Sequence, residues 1–227
     1  MKPKLTIEKL KAEAKRFCTA ESKSENKDLF GVTDGKAVGT YVEHKFQQQL
    51  ASKYEVEIGS SASGIDLPSA DILTDIKVTS IKQPQSSCPF KDAKQKIFGL
   101  GYNLLVFVYE KKDNPRNKTA VLDFVSCTFV AKERTADYTT TYRLREMISD
   151  GANEEDIAAY LRDRYFSTDD LVLQQLVMQI LKKTIRQGYL SIYNGFDLPY
   201  HYVINNEKVS GVSRIIPFKM CVQDKTY

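Results

Sequence analysis

The chain has 227 residues, 42% of them hydrophobic, and a formal net charge of +4. That length suits one domain, or one core carrying a sizeable insertion. No stretch approaches the roughly 20 apolar residues needed to span a bilayer, and the charged start MKPKLTIEKLKAEAKRF contains no signal-peptide segment, so a cytoplasmic, non-membrane protein is expected. Four cysteines (Cys18, Cys88, Cys127, Cys221) lie far apart, and the histidines are only two, His44 and His201. This spacing argues against a structural zinc site and against a His-based hydrolase, and leaves reduced, mostly buried thiols as the expectation. The mild excess of positive charge permits a nucleic-acid partner without demanding one.

Residues 5–18 read as an amphipathic helix, with Leu5, Leu10, Ala14 and Phe17 near one face. ESKSENKD (21–28) reads as a polar loop. A second helix follows, where Val38, Val42, Phe46 and Leu50 recur at every fourth position. The period then changes to two. YEVEIG (54–59), a short segment around GIDLP, and DILTDIKVTS (71–80) are predicted as three strands with antiparallel pairing across short turns. A helix is predicted to open after Pro89 and to stop at Gly99 or Gly101. YNLLVFVYE (102–110) is a continuous apolar run, as in a strand covered on both faces. A turn, KKDNPRNK, leads to another strand, TAVLDFVSCTFV. From 137 to 188 the pattern is helical, and Tyr189 to Tyr227 reads as short strands and loops. The chain is therefore expected to be α/β, an α+β mixed sheet. Within 1–227, residues 33–130 form the core and 137–188 a helical insertion or subdomain.

The chemical signal lies in GIDLPSADILTDIKVTS. Residues i and i+2 of a strand share a face, so Asp75 and Lys77 project together. Asp66 approaches them if its segment pairs with theirs as a hairpin. Asp71 shares parity with Asp75 and Lys77, and takes the place of Asp66 if 66–79 is one bent strand. Two carboxylates at one site suit Mg²⁺, with room left for water and phosphate; a neighbouring lysine suits an attacking water and the charge that develops on phosphorus. An acid two residues before a lysine occurs at eight places in the chain, so the pattern itself decides nothing. The apolar neighbours Ile72, Leu73, Ile76 and Val78 single out Asp75, because charge within such a segment is costly unless paired. Glu43, on the helix before the strands, shares a side with Phe46 and Leu50 and lies within reach of the acids.

A helix with Glu, strands carrying Asp and then Asp-x-Lys, a helix and a strand: over roughly residues 33 to 110 this order resembles the PD-(D/E)XK nuclease superfamily, and within it the type II restriction endonucleases. The resemblance implies a restriction-endonuclease-like core with an added helical block. It implies Asp66 and Asp75 as metal ligands, with Lys77 and Glu43 beside them as catalytic groups. Ile65 stands before Asp66 where the family's motif has proline, and Asp75 is Asp where Glu is commoner. The implied activity is Mg²⁺-dependent, sequence-specific hydrolysis of double-stranded DNA to 5′-phosphate and 3′-hydroxyl ends. A homodimer is expected to act on the duplex, and a DNA methyltransferase to protect the host. Alternatives are a DNA-repair nicking or structure-specific nuclease of the same fold, and a non-catalytic DNA-binding protein. After the Asp-x-Lys strand, Lys82, Lys91 and Lys94 suit phosphate contacts, and Gln83, Gln85 and Gln95 suit base edges.

Overall fold

The computed structural model describes residues 2–59, 64–82, 90–167, 169–193, 196–198 and 209–217. The chain divides into two compact units. One comprises residues 1–86, 104–130 and 203–227, and the other 87–103 and 131–202.

In the first unit, Thr6 caps α1 (Ile7–Glu21) by accepting from Lys9 N, and Asp34 caps α2 (Gly35–Lys53) by accepting from Lys36 N. The sheet has the order β1 (Thr74–Ser80), β2 (Asn103–Asn114), β3 (Thr119–Val130) and β6 (Val212–Ile216). β2–β3 and β3–β6 are antiparallel, and Ile81 N donates to Tyr109 O at 2.8 Å where β1 runs out beside β2. Asn103 to Tyr109 are all buried, as the unbroken apolar run predicts. Both helices lie against the sheet. Phe17 of α1 and Phe46 of α2 meet Phe107 of β2 at ring-centroid distances of 5.8 and 5.2 Å, and Phe124 of β3 closes the cluster 5.8 Å from Phe107. Tilted and edge-on ring contacts at these distances add to the stabilisation from area burial. Cys18 and Cys127 are free thiols buried in this unit; Cys88 and Cys221 lie outside the described residues.

A charged clamp joins α1 to α2. Glu13 is fully buried and its carboxylate accepts from Lys53 at 2.7 Å, Gln49 at 2.9 Å, Arg16 at 2.5 Å and the Tyr54 hydroxyl at 3.2 Å. Burial alone pushes its pKa up; the donors Lys53, Gln49 and Arg16 outweigh that and hold it down at about 2.

Residues 54–59 and the segment around Leu67 do not form the expected ladders. The first makes one parallel bridge, Glu55 with Lys4, and the second one antiparallel bridge, Leu67 with Thr74. The alternation at 54–59 instead reflects separate engagements, such as Tyr54 under the Lys9 ammonium and against Glu13.

The second unit contains α3 (Ala93–Phe98), α4 (Tyr138–Ser149), α5 (Glu154–Asp163) and α6 (Asp170–Lys182), a 3₁₀ turn at Lys132–Arg134, and the hairpin β4 (Ser191–Tyr193) with β5 (Phe196–Leu198). Asp92 caps α3, which therefore starts later than a helix opening at Pro89, and Gly99 ends it at φ +95°. Asn153 and Asp156 form a capping box on α5. The apolar stripe of α6 is core: Leu173, Leu176, Val177 and Ile180 pack with Ile97, Leu144, Ile157 and Leu161. α6 stops at Lys182, short of the basic run leading to Gly188, because 183–190 are drawn out by tertiary bonds. Gln187 Nε2 donates to Tyr138 O and Gly188 N to Thr141 Oγ1, while Leu190 N pairs with Ala136 O.

Two expectations follow from these contacts. Glu13→Ala leaves the Lys53 and Arg16 cations beside a buried gap and is expected to lower unfolding free energy by about 3 kcal/mol at neutral pH. Because the folded pKa lies below the ordinary 4.5, that contribution is complete above 4.5 and fades as pH falls toward about 2; denaturant titrations at pH 7 and pH 2.5 read both effects. At Gly188 an added Cβ would lie 2.2 Å from Ala136 O, so Gly188→Ala is expected to cost on the order of 2 kcal/mol in thermal unfolding.

Candidate functional site

β1 is an edge strand in the described sheet, so its outer N–H and C=O groups need partners. Leu67 supplies one pair, exchanging both backbone bonds with Thr74 at 3.0 Å. Between them the chain turns tightly: Ile72 N and Leu73 N both donate to Ser69 O, and Leu73 adopts φ +33°. Two residues further along β1, Ile76 N faces the same way as Thr74 N. Its partner is a side chain, not a backbone carbonyl: Asp66 Oδ2 accepts from it at 2.6 Å. The turn and this bond anchor Asp66 against β1. Asp71 lies in the turn and is exposed, so the hairpin alternative holds and Asp66 is the acid brought to Asp75.

Asp75 and Lys77 project from the face of β1 opposite Ile76 and Val78. Asp75 is 4% exposed, and its Oδ2 lies 2.7 Å from Lys77 Nζ. The carboxyls of Asp66 and Asp75 lie close enough for each to influence the other's ionisation. Burial, followed by the bond to Asp66, pushes Asp75 up to about 6 against the opposing pull of Lys77. Burial also raises Asp66, opposed by its bonds to Asp75 and Ile76 N, with Glu43 adding to the rise.

Glu43 comes from α2, which passes close to β1: a Cβ added at Gly39 would lie 3.8 Å from Val78 O. One turn on, Gln47 Nε2 lies 3.3 Å from Glu43 Oε1 and 3.4 Å from Asp66 Oδ1. Sequence reasoning did not single out Gln47; the signal was a glutamine one helical turn after Glu43, on a face that also carries the buried Phe46 and Leu50. Among the described residues no three His, Cys, Asp or Glu side chains are arranged to hold one ion together. Asp66 and Asp75 thus form a two-carboxylate set with Glu43 to one side. Such a set fits Mg²⁺, which commonly takes one or two protein carboxylates and fills its octahedron with water and phosphate oxygens.

The segment expected to hold DNA divides. Lys82 is exposed just beyond β1, in the first unit, while Lys91 and Lys94 are exposed at the start of α3, in the second. Gln95 is half-buried, accepting from Lys91 N at 2.8 Å and donating to Leu100 O. Gln83 and Gln85 lie outside the described residues.

The sequence model of the type II restriction enzyme NspV family matches residues 4–214. The chain is 48% identical over 198 residues to the type II restriction enzyme NspV of Nostoc sp., covering 87% of this chain and 89% of that protein. The chain belongs to the NspV family of type II restriction enzymes. It is accordingly a restriction endonuclease, a hydrolase of double-stranded DNA. No solved structure matches it. All the residues named at the candidate site fall within the part matched by the NspV family, and the mixed α+β architecture agrees with a restriction-endonuclease-like core. Among the described residues no helix is long and apolar enough to cross a membrane.

The raised pKa of Asp75 has a thermodynamic consequence. The folded pKa of Asp75 exceeds its ordinary 3.8, so its contribution to stability is complete below 3.8 and is lost as pH rises through about 6. The loss is on the order of 2–3 kcal/mol. In EDTA, Asp75→Asn is expected to match the wild type near pH 4 and to exceed it in melting temperature at pH 7.5. Equal melting temperatures of the two proteins at both pH values would contradict a raised Asp75 pKa.

Proposed function

We propose that this restriction endonuclease is Mg²⁺-dependent and that Asp66, Asp75 and Lys77 form its active site, with Glu43 alongside. The observation that carries this reading is the carboxylate of Asp66 held on Ile76 N–H at 2.6 Å, next along β1 to the buried Asp75, whose carboxylate pairs with Lys77 at 2.7 Å. Like charges are brought together at a buried site at the expense of stability, an arrangement suited to a cation. Bound there, a divalent cation supplies a Lewis acid for the scissile phosphate and lowers the pKa of a coordinated water. Asp66 and Asp75 would hold it by their carboxylate oxygens, Asp66 steadied by Ile76 N–H. Lys77 would orient the attacking water and donate to the phosphate oxygen on which negative charge develops. Hydrolysis would leave 5′-phosphate and 3′-hydroxyl ends.

The DNA is duplex, and Lys82, Lys91 and Lys94 are proposed to contact its phosphates. A homodimer would present two such sites to the two strands, related by the twofold of a symmetric target. A protecting methyltransferase in the same cytoplasm completes this account.

The test is cleavage of several unmethylated plasmid and phage DNAs, in Mg²⁺ and in EDTA, by the wild type, Asp75→Ala and Lys77→Ala. Discrete fragments are expected only in Mg²⁺, with both variants slower by roughly a hundredfold or more. Wild-type fragmentation by Asp75→Ala, or fragmentation undiminished in EDTA, would overturn the assignment.

A further inference from the structure

We infer that Gln47 is a positioning residue for the metal site, holding the second oxygen of Asp66 and linking its carboxylate to that of Glu43. The inference rests on the proposed assignment of Asp66 and Asp75 as cation ligands. Gln47 is 8% exposed and sits one helical turn after Glu43 on α2, which places its side chain over the same face. Its amide nitrogen has two hydrogens, and two carboxylate oxygens from different elements lie within reach of it: Glu43 Oε1 at 3.3 Å and Asp66 Oδ1 at 3.4 Å. The amide is thus a neutral donor that answers two acceptors.

The consequence is clearest at Asp66. Ile76 N–H holds Oδ2 at 2.6 Å and Gln47 Nε2 lies 3.4 Å from Oδ1, so each oxygen has a donor from the protein. A carboxylate tethered at one oxygen can still rotate about its last bond. Tethered at both, it is fixed in plane before any cation arrives. Outer hydrogen bonds of this kind orient ligating groups, and their removal typically lowers metal affinity or activity by about 10–100-fold. A glutamine serving only to pack α2 against the sheet would contribute stability and nothing to the cation.

The two roles separate in Gln47→Met, which keeps length and apolar volume and loses the donor, and Gln47→Glu, which replaces the donor with a third acid. The measurements on each full-length variant are the Mg²⁺ concentration at half-maximal cleavage, and the rise in melting temperature as Mg²⁺ is titrated without DNA. For Gln47→Met the half-maximal Mg²⁺ is expected to rise about 10-fold or more, with a matching displacement of the thermal titration and with cleavage recovering at high Mg²⁺. Gln47→Asn, a shorter donor, is expected to fall between it and the wild type. An unchanged Mg²⁺ midpoint in both readouts, whether or not the variant melts lower, would overturn the inference. Asp66→Ala, assayed in parallel, distinguishes the two levels: if it binds Mg²⁺ and cleaves as the wild type does, the assignment of the site has failed, not the role of Gln47 within it.

Discussion

The approach of Asp66 to Asp75, set by the bond from Ile76 N–H to Asp66 Oδ2, is the constraint around which this part of the structure is organised. Two acids in a half-dry environment repel each other once both are charged, and neither is there for stability. What keeps them together is backbone geometry. β1 lies at the edge of the sheet with N–H groups to satisfy, the Leu67–Thr74 bridge fixes the neighbouring segment, and Asp66 Oδ2 takes the place of a strand carbonyl on Ile76 N. Asp75, one residue before Ile76, then stands beside Asp66. Lys77 on the same face offsets part of the charge. An edge strand left open to other chains would be a liability; here the open edge carries the acids.

The rest of the first unit holds β1 and α2 in place. α2 carries Glu43 and Gln47 toward the acids, and it is secured on the far side by the Phe17, Phe46, Phe107 and Phe124 cluster and by the Glu13 clamp. A second buried network repeats the device nearer the start of α2. Lys45 Nζ donates to Glu21, Asn26 and Tyr41, while the Asn26 backbone pairs with Ala120 of β3. Polar networks of this kind are costly unless satisfied and specify a single arrangement when they are. A site that depends on carboxyls held close together benefits from rigid support on the helix that flanks it.

The sequence showed the site better than the ladder around it. Period-four apolar spacing identified α2, the uninterrupted apolar run identified β2, and parity placed Asp75 and Lys77 on one face, because each is a local consequence of backbone repeat. The strand at 54–59 was misread, because alternation there records single engagements of Tyr54 and Glu55 and not a ladder. α6 was read too long, since Ile185 continues the apolar spacing while Gln187 and Gly188 bond to α4 and the turn before it. The choice between Asp66 and Asp71 depended on a turn closed by Leu73 at positive φ, for which a leucine gives no signal. Gln47 was overlooked because a glutamine on a helix is ordinary until the strand opposite it is known.

The most direct test is an anomalous difference map from crystals of the protein grown or soaked with Mn²⁺, which shares the carboxylate and water preference of Mg²⁺ and can be located by its own scattering. A peak bridging the carboxylates of Asp66 and Asp75, with Glu43 outside its coordination shell, is the expected result. A fully occupied site elsewhere in the chain, with Asp66 and Asp75 in place and no ion between them, would contradict the account.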